Sequence, residues 1–417
     1  MQLSDGRPLN MWSYNKSELI FLIMFICIFP QSIYTQFIGI LAITDEFFAI
    51  CGFFSFIRYS SRRKVWQISS YIKKIFIILI LLLSLGWIST LVYKIQRNIN
   101  ANLSDCFTFV KFYLIFFYSI KLLTQCHLCK ITNVLYRIVK VYLFASIVCL
   151  ILNLLIDIGM TEDYRFGIRA FKFINSNAGD YSSILVISLS IIIINEAINC
   201  RRDNLLKIIC LICLFMTLRG KAIGLGFTFI ALDLFLKKHS YLNRKALIGL
   251  SILGIIGGFF QLKYYFIDNV TPRSLFLANG IITANNYFPL GAGYSTYGSN
   301  MAKVYYSPLY DKYGFDSIWG MNSEDQQFLN DNFWPMVMGQ FGWFGTILYL
   351  SILCIIFNIT NRHISSRKLK LAGLTLFFLI AYSSVGGPIL LHYIGCATAI
   401  VYGLILTASE KCTEFVL

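Results

Sequence analysis

NDNFWPMVMGQFGWFGTILYLSILCIIF, Asn330 to Phe357, decides the fold. From Phe333 it runs apolar for at least the roughly 20 residues that a bilayer-spanning helix needs. Its opening is unlike that of a plain anchor. Asp331-Asn332 lead in, Pro335 follows, and Gly339, Gly342 and Gly345 recur at every third position. The ring nitrogen of Pro335 cannot donate to the carbonyl four residues back, that of Asp331, so a kink is expected there. The glycines would let another helix approach closely. Upstream, Ser323 and Gln326 have the spacing of a capping box, and Glu324 and Asp325 suit the positive end of a helix dipole. A helix is therefore expected to run from Ser323 into Asn330-Asp331.

The rest of the chain has the same character. Of 417 residues 57% are hydrophobic and 13% charged, with a mean hydropathy of +0.67. That composition excludes a soluble globular domain and implies a polytopic helical membrane protein. A transmembrane β-barrel would alternate polar and apolar residues, and these runs are continuous. The apolar run from Leu19 lacks a small-residue cleavage site and reads as a first span rather than a signal peptide. About twelve spans are expected, near 17–36, 38–57, 75–93, 106–123, 138–158, 181–198, 205–218, 222–236, 246–266, 333–357, 369–387 and 389–407. Residues 1–417 form a single integral membrane domain with no internal repeat.

The net charge of +16 has a sided distribution. Basic residues gather in Arg58 to Lys74, Lys121 to Lys140, Arg201 to Lys207, Lys237 to Lys245 and Arg362 to Lys370, which are alternate connections. This places those connections, and both termini, in the cytoplasm. No basic patch carries a nucleic-acid motif, so no nucleic acid is expected as partner. The opposite side carries two long loops, at 159–180 and 267–332. The second is longer than a connection between spans needs, which marks it as functional. Its aromatics and turn residues argue for order, but each long loop is too short and too poor in apolar periodicity to hold a core of its own or form a separate domain.

Several charges resist a scaffold role. Asp45 and Glu46 lie about twelve residues before Arg58, so they are either intramembrane carboxylates or part of a short outer loop. Between Arg202 and Lys237 the chain must cross twice with about 34 residues against roughly 40 for two full spans, so the turn LRGKA, with Arg219 and Lys221, lies below the outer surface. Short paired segments around a polar break mark a binding site, and two cations there call for an anion; a structural ion pair is the alternative. The loop YRFGIRAFKFINSNAGD adds Arg165, Arg169 and Lys172, and DNVTPRSLFLANG adds Arg273. YFPLGAGYSTYGS holds Gly291 and Gly293, which serve turns or close approach to a ligand. Tyr305, Tyr306 and Tyr310 crowd VYYSPLYDKYG, as suits either the faces of sugars or an interfacial belt.

The chemistry is narrowed by what the motifs lack. Twelve cysteines include Cys126-His127-Leu128-Cys129, half a zinc site whose counterpart spacing, Cys210 and Cys213, falls in an apolar run. There is no HExxH, nucleophile elbow or P-loop, so no metal or other cofactor is expected. His392 is the one histidine expected near the outer face; otherwise a carboxylate must serve as base. Several guanidinium groups at a membrane face suit a diphosphate, and Asp331 on its helix could take a hydroxyl proton.

These elements resemble the O-antigen polymerase and O-antigen ligase superfamily of bacterial envelope glycosyltransferases. Asp331-Asn332, nine residues and then Gly342-Trp343-Phe344-Gly345 are similar to the ligase pattern, with Asp331 where that pattern has histidine. Arg273-Ser274-Leu275-Phe276-Leu277 is similar to the family's Arg-x3-Leu element, and PLGAGYSTYGS to its Pro-x-Gly-x-Gly element. MTLRGKAIG, with Arg219, resembles its arginine-bearing turn, and RFGIRAFKFINSNAG its shorter arginine loop. The absent histidine turns the resemblance toward the polymerase branch. It implies a GT-C-like membrane fold and metal-independent transfer of a growing glycan from undecaprenyl diphosphate to a new lipid-linked repeat unit at the periplasmic face of the inner membrane. On that reading Asp331, Arg273 and Arg219 are catalytic. Arg165, Arg169, Lys221, Asn332, Tyr305, Tyr306, Tyr310, Gly291 and Gly293 bind substrate, with a chain-length regulator and a flippase as partners. The alternatives are an O-antigen ligase and a lipid-linked oligosaccharide flippase.

Overall fold

A computed structural model describes residues 14–61, 70–165, 167–264, 271–330 and 332–414. The described helices are α1 (Lys16–Ile28), α2 (Gln31–Tyr34), α3 (Thr44–Ser61), α4 (Ser70–Tyr93), α5 (Ile99–Leu123), α6 (Leu128–Leu155), α7 (Ala178–Ile198), α8 (Asn204–Phe215), α9 (Gly220–Lys238), α10 (Arg244–Lys263), α11 (Pro272–Asn286), α12 (Asn300–Val304), α13 (Pro308–Lys312), α14 (Phe333–Asn358), α15 (Arg367–Gly386) and α16 (Tyr393–Glu414). One antiparallel hairpin, β1 (Thr161–Arg165) and β2 (Ile168–Phe171), interrupts them, with Tyr164 opposite Arg169. Each of the twelve apolar segments expected from sequence overlaps a helix. By length and composition, seven of the described helices can cross a membrane: α4, α5, α6, α7, α14 with its continuation to His363, α15 and α16. The chain is thus an all-α multi-pass membrane protein. The hairpin, within a stretch expected as plain loop, is the exception.

Side-chain contacts fix how the helices run. Trp334 Nε1 donates to Ser384 Oγ at 3.2 Å, while Gly373 lies against Thr360, so α14 and α15 are antiparallel. Tyr382 meets Thr228 at 2.9 Å and Arg367 meets Asp233 at 2.5 Å, so α9 is antiparallel to α15. Lys111 reaches Asp45 and Lys121 reaches Ser55, so α3 and α5 are parallel. Two ends of the bundle result. One gathers the described basic connections together with Asn15, bonded to Gln125, and Lys411, bonded to Leu123 and Cys126. The other gathers the hairpin, the turn before α9, helices α11 to α13 and the link between α15 and α16. The alternation of basic loops read from sequence therefore corresponds to a real separation in space.

The main core is one continuous apolar cluster through the long helices. A second cluster, Phe276, Ala292, Tyr297, Ala302, Leu309, Tyr310, Phe315, Met321 and Leu329, lies within the long loop. This corrects the expectation that the loop is too short and too weakly periodic to hold a core of its own. Its aromatics build one from several short turns instead of from one amphipathic helix.

Two local expectations fail for identifiable reasons. No helix starts at Ser323. Asn322 Oδ1 accepts from the backbone N–H groups of Glu324 and Asp325, and Phe328 N–H donates to Gly320 O at 2.9 Å, which holds 320–328 in turns. Nor is there a break at Pro335. Because α14 begins at Phe333, Pro335 sits in the first turn, where its missing N–H has no intrahelical partner to lose. The break is at Gly342, with φ +63° and ψ −167°.

Candidate functional site

The hairpin, the N-terminus of α7 and the turn before α9 meet at the end of the bundle away from the basic connections. Leu218, at φ +51°, closes the turn after α8. The hairpin is stitched to it: Phe171 N–H donates to Met216 O at 3.0 Å, and Arg165 Nη1 to Leu218 O at 3.4 Å. Arg219 forms an ion pair with Glu162 of β1, and its Nε is buried with no hydrogen-bond partner. The second oxygen of Glu162 accepts from Ala178 N–H at 2.9 Å, at the first turn of α7. Lys221 Nζ donates to Gly179 O at 3.3 Å and Ser183 Oγ at 3.1 Å on the same helix end. Asp180 accepts from Tyr393 OH at 3.0 Å, which brings the start of α16 to the cluster, beside the exposed His392.

The electrostatics follow from this placement. A 21-residue helix presents its N–H groups and positive dipole end where two cations converge. Glu162 occupies that position, accepting from the helix end while paired with Arg219. A phosphate oxygen makes the same kinds of contact. Of the two readings of LRGKA, an ion pair accounts for Arg219. Lys221 bonds only to neutral oxygens in the contacts described.

The other arginines are differently placed. Arg165 is held by Asp163 at 2.9 Å. Arg169 donates to Asn153 O at 2.7 Å and to Tyr164 OH at 3.3 Å. Arg273 lies in the first turn of α11, whose capping box is Thr271 with Ser274 and whose N1 residue is Pro272. Its carbonyl accepts from Asn332 Nδ2 at 3.2 Å, joining α11 to the residue just before α14. Asp331, the candidate base, lies outside the described residues.

Gly291 and Gly293 are buried, at φ +80° and +94°. They form a turn that re-enters the bundle between α4, α5 and α14. A Cβ on Gly291 would meet Gln340 O at 2.6 Å, and one on Gly293 would meet Thr90 Oγ1 at 2.6 Å. Both glycines therefore serve close backbone packing in this arrangement. Tyr310 is fully buried and presents no face to a sugar here: its hydroxyl accepts from Gly298 N–H at 2.9 Å, and burial pushes its phenol pKa up. Tyr306 donates to Met321 O at 3.2 Å; burial, with Asp311 and Asp316 nearby, pushes it up to about 12. Tyr305 remains exposed.

Residues not singled out in the sequence complete these networks. Lys111, inside an apolar run of α5, bridges Asp45 at 2.5 Å and Glu46 at 2.9 Å. Asp45 is 2% exposed, in the first turn of α3, so it is a buried carboxylate held by a partner rather than a solvated one. A lone lysine within a span is itself the signal that would have found the partner. Glu162, Asp180 and Tyr393 carry no such local signal, because ordinary loops and helix starts contain the same residue types. No protein-family model matches the chain, and comparison with curated proteins found no match.

Proposed function

We propose that the protein is a polysaccharide polymerase: a metal-independent glycosyltransferase acting on undecaprenyl-diphosphate-linked oligosaccharide units at the periplasmic face of a bacterial inner membrane. The observation that carries this reading is that Arg219 and the first N–H of α7 meet on one carboxylate, that of Glu162, with Lys221 bonded to the same helix end, remote from the basic connections. On this reading all twelve apolar helices lie in the membrane in a GT-C-like arrangement, with both termini cytoplasmic.

The acceptor hydroxyl oxygen attacks the anomeric carbon of the donor glycan. Its proton passes to Asp331, and the bond from that carbon to the diphosphate oxygen breaks. Arg219 and Arg273 stabilise the charge growing on the leaving diphosphate, with Arg165, Arg169 and Lys221 around it. One well-placed donor of this kind is worth about 3–4 kcal/mol in the transition state. Asn332 and Tyr305 contact the acceptor, while Tyr306, Tyr310 and the two glycines shape the loop that carries it. A flippase would supply the substrate and a chain-length regulator would set the product.

The test is complementation of a polymerase-null strain, with glycan chain length read as a ladder. Wild type restores the ladder, and Asp331→Asn reduces it to single repeats while the protein still inserts. Normal chain lengths from Asp331→Asn would remove the base assignment. Purified protein that moves lipid-linked repeats across a bilayer without lengthening them would remove the polymerase reading itself.

A further inference from the structure

Asp105 on α5 is 2% exposed. Its Oδ2 accepts from Ser295 N–H at 2.7 Å and from Gln340 Nε2 at 2.9 Å, and the side chains of Ser295 and Ser299 lie beside the carboxylate. Among the described residues no Lys, Arg or His pairs with it. Asp45, the other buried aspartate beside α5, is met by Lys111. An ionised carboxylate taken out of water without a counter-charge is strongly disfavoured.

The surroundings of Asp105 hold oxygen atoms that also lack partners. Gln340 Oε1 and Asn102 Oδ1 are buried without a hydrogen bond, and the buried Ser295 Oγ, beside the carboxylate, accepts none. Two of them are tethered to Asp105 by short covalent paths. Ser295 Oγ belongs to the residue whose N–H bonds the carboxylate, and Gln340 Oε1 shares an amide with the Nε2 that does so. Asn102 precedes Asp105 by three residues on α5 and so shares its face. Unsatisfied buried polar groups are uncommon, and an ion or ordered water is the usual explanation.

We propose that Asp105, Ser295, Gln340 and Asn102 bind one dehydrated alkali cation, which fastens the re-entrant turn to α5 and α14. The donor set selects the class. Every ligand is a hard oxygen, which suits alkali and alkaline-earth ions over thiophilic metals. Only one carries charge, so a monovalent ion leaves the site neutral. Among the described residues no group of three His, Cys, Asp or Glu side chains is placed to hold a metal ion. The backbone also fits: α14 is interrupted at Gly342, two residues beyond Gln340, and interrupted helices are where membrane proteins commonly place such ions.

The experiment is thermal melting of the purified full-length protein in detergent, without substrate, in sodium, potassium or choline chloride at constant ionic strength. Sodium or potassium raises the melting temperature saturably, by roughly 2 °C or more once the ion is far above its dissociation constant, and choline does not. Asp105→Asn abolishes the response. Ser295→Ala, which removes one neutral ligand, shifts the half-saturating concentration several-fold upward and covers the case in which Asp105→Asn does not fold. Identical melts in all three salts overturn the proposal, as does an unchanged half-saturating concentration in Ser295→Ala. None of these readouts requires glycan transfer, so the polymerase reading stands or falls separately.

Discussion

The backbone N–H of Gly293 donates to the carbonyl of Gln340 at 2.9 Å, and that of Ala292 donates to Gly339 at 2.8 Å. These carbonyls lie just before the break in α14. Had the helix continued unbroken, they would have been bonded within it. The interruption at Gly342 thus frees acceptors, and the re-entrant turn satisfies two of them, the carbonyls of Gly339 and Gln340, without water.

Gly342→Ala is expected to lower the melting temperature. Its φ of +63° disfavours any Cβ, and an added one would meet Pro289 O at 2.5 Å. Loss of about 1–3 kcal/mol is expected from such strain and overpacking. Gly386→Ala, at a glycine with nothing within 4 Å of an added Cβ, is the control and should melt near wild type.

Arg219→Ala and Glu162→Gln should separate function from packing. Both break the same ion pair. If the cation serves a diphosphate, Arg219→Ala weakens the glycan ladder roughly 100-fold, while Glu162→Gln keeps most of it. Equal loss in both, matched by equal drops in melting temperature, would mean that the pair is structural.

Arg273→Ala should stop chain elongation while the protein still inserts in the membrane, since the α11 cap rests on Thr271 and Ser274. A wild-type ladder from this variant would count against a diphosphate role for Arg273.

Lys111→Met leaves two carboxylates without their buried cation, at a cost of roughly 3–5 kcal/mol. The triple variant with Asp45→Asn and Glu46→Gln should recover much of that stability, because it removes the unpaired charge as well. Melting of the two proteins side by side checks this. No recovery in the triple variant would show that the three residues are needed for something besides mutual neutralisation.

Much of the architecture was legible along the chain. Hydropathy is a sum over neighbours in sequence, so helix after helix falls where an apolar run predicts it, and the sided basic loops mark which ends lie together. The positions of Arg219 and Lys221 in a short polar turn were legible too, but not the partners that hold them, Glu162 on the hairpin and the start of α7. The failures share a cause. Ser323 with Gln326 has the spacing of a capping box, but Asn322 and Gly320 reach it first and fold the segment into turns. Pro335 would kink a helix already under way, and α14 has only just begun there.

The sequence by itself determined a helical membrane protein with two distinct ends and a set of cations at the end away from the basic connections. Only the tertiary structure decided what those cations meet and where a long helix breaks. Arg165 reaches Leu218 across 53 residues and Lys111 reaches Asp45 across 66. Such pairings depend on which helices pack together, and no local pattern encodes a partner that far away. The break at Gly342 is decided the same way: its strained backbone is worth its cost only because a turn from much earlier in the chain arrives to bond the exposed carbonyls.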